Sequence, residues 1–403
     1  MPTRESATST TGEWLAEDGF AGAGKVACLG VGTEPQAVKS TSVPVVSARA
    51  AIPFLSGLPL FIPNGSSLSL FHSKIAIFGS EGLPSLMQKL KTAVIGTGYL
   101  GRFHAQKYAS LPESELVALC DSNTEAARRV ADELGVPWFT DYRQLEGLVD
   151  AVSIVVPTQQ HYAVACWFLE KGLHVLLEKP ITATVKEARR LVALAREQGC
   201  ILQIGHLERF NPAVLALDDL IDEPRFIESH RLAPFNPRGA DVNVVLDLMI
   251  HDIDIILNMV RSPVERIDAN GVSVLSKDID IANVRIQFGN GCVANVTASR
   301  ASVKTERKMR LFQHDSYIAI DFQNKCLEIY RKGHDEQYPG IPSIESERHT
   351  FEQGDALMSE IRAFLEAVRC GSRPLVSGED GLRALETALT ISEQLRKKKE
   401  KVS

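Results

Sequence analysis

Lys91–Tyr108 reads KTAVIGTGYLGRFHAQKY. A short apolar run, Thr92 to Ile95, ends in Gly96, Gly98 and Gly101 and passes straight into a helical pattern, so strand, tight turn and helix follow without spacers. In a dinucleotide-binding fold the first glycine allows a turn with positive φ, the second lets a pyrophosphate approach the main chain, and the third lets helix and strand pack closely. The N–H groups at the helix start then face the phosphates. Gly96, Thr97, Gly98, Tyr99, Leu100 and Gly101 are therefore the expected cofactor cradle. Alone, the pattern also fits a glycine-rich turn without a ligand. Asp121 argues for the ligand: it closes the next apolar run, Leu116 to Cys120, twenty residues after Gly101. A carboxylate there accepts from the adenosine ribose hydroxyls and repels a 2′-phosphate. No arginine directly follows it, so NAD is expected in preference to NADP.

Strand and helix alternate outward from this stretch. Strands are predicted at Thr92–Ile95, Leu116–Cys120, Trp138–Thr140, Ala151–Val156, His174–Leu177 and Ile201–Gly205, with helices at Leu100–Ser110, Thr124–Leu134, Tyr142–Leu148, His161–Lys171 and Val185–Gln198. That is a doubly wound parallel sheet of six strands. Ligands in such sheets lie beyond the carboxyl ends of the strands, which places Pro157, Thr158 and His161 beside the nicotinamide half of the site. From Val272 the character changes. Strands Val272–Leu275, Ile281–Phe288, Cys292–Ser299, Lys308–Gln313, Ser316–Asp321 and Cys326–Tyr330 are joined by hairpin-like turns, so an open, mostly antiparallel sheet is expected. Helices Ala356–Arg369 and Glu379–Lys399 follow, the second with Ser377 or Asp380 as its cap. The fold class is thus α/β followed by α+β: a Rossmann domain over 87–212 and a substrate-binding domain over 213–403, whose last helices can pack back on the first.

Two further stretches carry chemistry. Glu178-Lys179-Pro180 ends the fifth strand. It can be read as a charged turn, but proline holds the preceding residue extended, which aims Lys179 into the cofactor crevice. Leu246–Val260, LDLMIHDIDIILNMV, is apolar on two sides of a helix, with Asp247, His251, Asp254 and Asn258 in a narrow polar stripe between them. Either Asp247 caps the helix and His251 makes one structural hydrogen bond, or the stripe is a pocket wall; taken with Lys179 the second reading is preferred.

The bulk properties suit a globular enzyme. A chain of 403 residues with net charge -6 offers no electrostatic reason to bind nucleic acid. Seven cysteines lie scattered, without CxxC or a Cys/His spacing for a metal, as expected of buried reduced thiols in a cytoplasmic protein with no metal site. No apolar run reaches the roughly 18 residues that span a bilayer. Residues 1–86 are rich in Ser, Thr, Gly and Pro and lack a sustained period apart from the strand-like Lys74–Phe78. They read as a poorly ordered extension, or one that a natural start at Met87 would exclude.

GTGYLG, Asp121, Glu178-Lys179-Pro180 and Asp247-x-x-x-His251, in that order and followed by an antiparallel sheet, resemble the glucose-fructose oxidoreductase, inositol dehydrogenase and rhizopine catabolism (Gfo/Idh/MocA) family over residues 91 to about 400. Within it, GHLERFNPA (Gly205–Ala213) is similar to enzymes that oxidise the 3-hydroxyl of UDP-N-acetylglucosamine, and RLAPFNPRGADVNVVLDLMIHDIDI to those encoded with lipid A biosynthesis genes. The resemblance implies NAD as cofactor, with Glu178 and Lys179 among its contacts, and a cis Lys179–Pro180 bond. It also implies His251 as base, Lys179 as alkoxide stabiliser with a share in proton transfer, and Asp247 as orienting group. Arg209, Asn211 and Arg300 join Asp247 and His251 as candidate substrate contacts, Glu208 is left as an ion-pair partner, and a homo-oligomer, dimer or tetramer, is expected. The alternatives are a family dehydrogenase acting on inositol, a free sugar or a UDP-uronic acid, a non-catalytic dinucleotide-binding regulator, and a methyltransferase, which would need neither Lys179 nor the stripe.

Overall fold

Near-continuous apolar strands need cover on both faces, and the computed structural model provides it. It describes residues 88–218, 220–236, 243–352 and 354–402, so the expectations for residues 1–86 and for a start at Met87 lie outside the described residues. The first six strands are β1 (Leu90–Ile95), β2 (Ser114–Cys120), β3 (Trp138–Phe139), β4 (Ala151–Ile154), β5 (His174–Glu178) and β6 (Leu202–Gly205). They form one parallel sheet in the order β3-β2-β1-β4-β5-β6. The order reverses between β1 and β4, which is where such folds bind dinucleotides.

The helices between them follow local chemistry. In α1 (Tyr99–Ser110) the chain turns directly off the glycine loop. Asn123 caps α2 (Thr124–Leu134) by accepting from Ala126 N at 3.1 Å, and Gly135 ends it in the left-handed conformation. Pro157 precedes α3 (Thr158–Glu170), which starts three residues before the predicted His161 because the fixed φ of proline suits a helix start. Thr184 and Glu187 form a reciprocal capping box on α4 (Val185–Glu197). The predicted helix over 142–148 is a single 3-10 turn, Tyr142–Leu145, stopped before Gly147 with its φ of +74°.

The second sheet has eight strands in the order β14-β13-β12-β11-β7-β10-β9-β8. These are β7 (Phe226–Leu232), β8 (Val264–Val272), β9 (Ile281–Phe288), β10 (Val293–Ser299), β11 (Glu306–Phe312), β12 (Ser316–Asp321), β13 (Cys326–Tyr338) and β14 (Ile341–Thr350). Every neighbour pair is antiparallel except β7 with β10. The strand predicted at Val272–Leu275 lies earlier, at β8, because Asp280 collects the N–H groups of Val274, Leu275 and Ser276 into a loop. One sheet face buries Ile227, Val284, Val296 and Ile318 against Ile250, Ile253 and Ile256 of the central helix. After the one-turn α5 (Pro212–Leu215) and that central α6 (Ile250–Val260), the chain ends in α7 (Ala356–Cys370) and α8 (Gly378–Val402). Phe364 and Ile361 of α7 pack with Val94 and Leu119 of the first sheet, so the chain returns to where it began.

Candidate active site

Each glycine of the first loop meets a different constraint. Gly96 has φ +92°, and a Cβ there would lie 2.3 Å from Val155 O; one on Gly101 would lie 1.8 Å from Gly96 O. A Cβ on Gly98 would meet nothing within 4 Å, and no side chain caps the helix it precedes. The loop is closed where strand and helix touch and open at Gly98, the form a pyrophosphate requires. Asp121 braces it: its Oδ2 accepts from Thr97 N at 2.7 Å and Thr97 Oγ1 at 3.1 Å, while Oδ1 accepts from Asn123 N at 2.8 Å. A carboxylate has about four acceptor sites, so ribose hydroxyls remain compatible with these bonds.

At the tip of β5 the Lys179–Pro180 bond is cis, as the family resemblance implies. Lys179 Nζ donates to Asp247 O at 3.0 Å across 68 positions of sequence. Burial lowers the pKa of its ammonium, with Asp247 and Glu178 opposing and Arg231 assisting. Glu178 points back into the first domain, where it meets His104 Nε2 at 3.1 Å and rests on Gly205, whose added Cβ would sit 2.9 Å from Glu178 Oε1. His161 differs from its predicted role. Its ring nitrogens lie 2.9 Å from Pro180 O and 2.9 Å from Val156 O; the neutral ring donates its one N–H to one of these carbonyls and so has no donor left for a cofactor.

The polar stripe begins in a π-helical turn, Val245–Met249, that leads into α6. Such turns alter which face a side chain joins and recur at functional sites. His251 lies beside Lys179 closely enough for that ammonium to disfavour its protonation. Burial pushes the ring well below its ordinary pKa, and the charges of Lys179 and Arg231 push the same way. Its Nδ1 is buried and has no hydrogen-bond partner. His206, which the sequence reading did not single out, stands edge-to-face with it at 6.4 Å between centroids, 1% exposed, with neither ring nitrogen bonded. Arg231 on β7 was also missed. It is 3% exposed and holds Asp252 through two bonds, of 2.7 and 3.2 Å, and Glu208 through one of 2.9 Å. Glu208 is thus the ion-pair partner expected, shared with Arg307 at 3.4 Å.

Three predicted substrate contacts are employed elsewhere. Arg209 reaches Leu375 O at 3.3 Å and faces Asp254 at 3.5 Å. Asn211 caps α5 through Ala213 N and donates to Phe322 O at 3.0 Å. Arg300 pairs with Asp280 at 2.9 Å and donates to Ser276 Oγ at 3.0 Å. All three are at least nine-tenths buried; a buried charge or amide must be paired to be tolerated, and their pairing fixes loops. Hollows of about 700 and 720 Å³ border α8, but Lys179, His206 and His251 line neither. Size alone does not locate the chemistry.

Known proteins resemble this chain in sequence and fold. Residues 90–206 match the GFO/IDH/MocA model, described as an oxidoreductase family with an NAD-binding Rossmann fold, and residues 220–318 match the family's C-terminal domain. A UDP-N-acetylglucosamine 3-dehydrogenase of Acidithiobacillus ferrooxidans is 41% identical over 306 residues, which is 76% of this chain and 97% of that protein. A solved structure of the enzyme of that name from the same organism covers 77% of this chain and 98% of its own, with a TM-score of 0.73 and 41% identity. A scyllo-inositol 2-dehydrogenase (NAD(+)) of Bacillus subtilis is 27% identical over 340 residues, 76% of this chain and 94% of that protein. Levoglucosan dehydrogenase in complex with NADH, at 18% identity and a TM-score of 0.68 over 77% of this chain and 98% of its own, shares the fold. The chain belongs to the GFO/IDH/MocA family of oxidoreductases, with that family's NAD-binding Rossmann domain followed by its C-terminal domain.

Proposed function

We propose that this protein is an NAD-dependent dehydrogenase that oxidises the 3-hydroxyl of UDP-N-acetylglucosamine to the 3-keto sugar. The observation that carries the reading is the meeting of Lys179, at the end of β5, and His251, on α6, 72 positions apart, in a chain 41% identical to a relative named for that reaction. Bound NAD supplies the hydride acceptor. Losing hydride from a secondary alcohol also requires the hydroxyl proton to leave, which calls for one base and one cation at the same oxygen. Two adjacent cations oppose each other, so one proton serves the Lys179–His251 pair. With that proton on Lys179, the ammonium stabilises the forming alkoxide and the neutral imidazole is free to accept. Asp247 orients the imidazole or a sugar hydroxyl. His206, buried and unbonded beside them, offers a further polar contact to the sugar.

Asp121, braced without a following arginine, favours NAD over NADP. Lys179, Thr158 and Pro157 border the nicotinamide end of the cofactor site, whereas Glu178, expected there too, turns back onto His104. The protein works as a cytoplasmic homo-oligomer. The sheet face opposite α6 carries an aromatic row, Phe226, Phe312, Tyr317 and Tyr330, suited to self-association. Purified protein assayed with UDP-N-acetylglucosamine, UDP-glucuronic acid, myo-inositol and glucose, each with NAD and NADP, tests the reading. The highest kcat/KM is expected for UDP-N-acetylglucosamine with NAD; a polyol or NADP in first place overturns the corresponding part.

A further inference from the structure

Behind the tip of β5 lies a closed polar cluster that the proposed reaction does not use. His104 of α1, Glu178 of β5 and Glu360 of α7 have ligand atoms within 4.8 Å of one another. Hydrogen bonds run through it in sequence: Tyr108 OH and Ser153 Oγ at 2.9 Å, Ser153 Oγ and His104 Nδ1 at 3.2 Å, and His104 Nε2 and Glu178 Oε1 at 3.1 Å. One assignment satisfies every link. Tyr108 donates to Ser153, Ser153 donates to His104 Nδ1, and His104 Nε2–H donates to Glu178. Glu178 is then an acceptor only, and its other oxygen accepts from Lys179 N at 3.2 Å.

Glu360 stands outside this chain of bonds. It is 0% exposed, and neither carboxyl oxygen has a partner. The groups that face it are known from each neighbouring element. His104 and Tyr108 come from α1 and Glu178 from β5. From β6, Gln203 holds the Glu360 main-chain oxygen at 3.0 Å. The charged residues of the 207–210 turn on α7 are directed elsewhere, Glu208 to Arg231 and Arg209 to Asp254. With His104 a neutral donor, as assigned above, the charge that faces Glu360 is the Glu178 carboxylate. Two ionised carboxyl groups in a dry enclosure repel strongly. A proton removes the repulsion and gives the cluster the donor it lacks.

We propose that Glu360 is a positioning residue: its carboxyl group shares one proton with Glu178, and the pair fixes the main chain of Lys179 and hence the place of its ammonium. This rests on the reading of Lys179 given above. Burial and the Glu178 charge both raise the Glu360 pKa well above its ordinary value, in keeping with the arrangement. A displacement of about 1 Å at a reacting group costs as much as a hundredfold in rate, so a device far from substrate still bears on turnover.

Glu360→Gln keeps the shape and a donor; Glu360→Leu keeps the volume and removes it. Infrared difference spectra of the wild-type protein against Glu360→Gln are expected to contain a protonated carboxylic acid band at neutral pH. With UDP-N-acetylglucosamine and NAD, Glu360→Gln retains turnover, while Glu360→Leu loses about tenfold or more in kcat with little change in the KM for NAD. The absence of the acid band overturns the proposal, as do equal kcat values for Leu and wild type. Stoichiometric metal in the purified wild-type protein overturns it too, since His104, Glu178 and Glu360 would then be ligands. If neither variant folds, the wild-type band, its loss on raising pH and the metal content still decide. Wild-type protein inactive on UDP-N-acetylglucosamine defeats the functional reading alone, because the infrared and metal measurements need no substrate.

Discussion

Lys179 and His251 owe their proposed chemistry to each other. Neither pKa is shifted by burial alone: the ammonium lowers the imidazole, and the Asp247 and Glu178 charges keep the ammonium from falling further. Lys179→Ala and His251→Ala are expected to reduce kcat by a factor of about 10² or more, the usual scale for losing an acid-base or electrostatic partner. NAD affinity and melting temperature should remain nearly unchanged. A structural histidine gives the reverse, a loss of about 1 to 3 kcal/mol in stability with activity following the folded fraction. Measuring kcat, NAD affinity and melting temperature on the same two variants separates these outcomes, and near-normal turnover in either removes that residue from the mechanism. Arg231 works differently. Its ion pairs with Asp252 and Glu208 hold β7 to α6 and to the 207–210 turn, so it governs where the charges sit more than what they do.

At the scale of elements, the glycine loop separates folding from binding. Gly101→Ala drives a Cβ into main chain 1.8 Å away, and no side-chain rotation relieves a clash with a carbonyl oxygen; loss of folded protein is expected. Gly98→Ala meets nothing within 4 Å and leaves φ at an ordinary -63°. It should keep its melting temperature and weaken NAD, because the space it fills is the one offered to the pyrophosphate. Calorimetric titration with NAD checks this, and unchanged affinity in Gly98→Ala would place the cofactor elsewhere. The loop was legible because its constraints are local. So were the Ser377/Asp380 cap of α8 and strands β9 and β12, whose predicted bounds match. β7 was not. Its inward residues are Ile227, Ser229 and Arg231, and only one is apolar, so the alternation that marks a strand is absent. Yet it lies near the middle of the sheet, and with it went Arg231. β14 and the second half of β13 were hidden because the hairpin is largely exposed and polar on both faces. His206 was invisible for another reason: an unpaired buried ring cannot be told from a paired one without its neighbours.

For the molecule as a whole, two expectations concern stability. The family matches begin at residue 90, and a protein beginning at Met87 is expected to retain melting temperature and turnover; loss of either measured quantity would give residues 1–86 a role. The second concerns acid. His161, His174, His206 and His251 all have pKa values below their ordinary 6.5, each chiefly through burial. In the unfolded chain these rings take up protons as pH falls through about 6.5, while in the folded protein they resist until their lowered values are reached. Their neutral burial therefore contributes stability that is fully present above pH 6.5 and is lost progressively below it. The fully buried His161 and His206 each contribute up to about 1.4 kcal/mol per pH unit in that interval; half-buried His174 adds less. Glu360 acts in the opposite sense. Its raised pKa means that the folded protein holds a proton which the unfolded chain releases above about pH 4.5, so acidification favours the fold there. Four rings outweigh one carboxyl group. Asp280 and Asp380, both lowered by their hydrogen bonds, begin to cost stability only below the ordinary aspartate value of about 3.9, outside this interval. Urea denaturation midpoints measured from pH 7.5 to pH 5 should therefore fall steadily below pH 6.5, and a midpoint that stays level or rises over that range would show that the histidines are not held neutral in the folded protein.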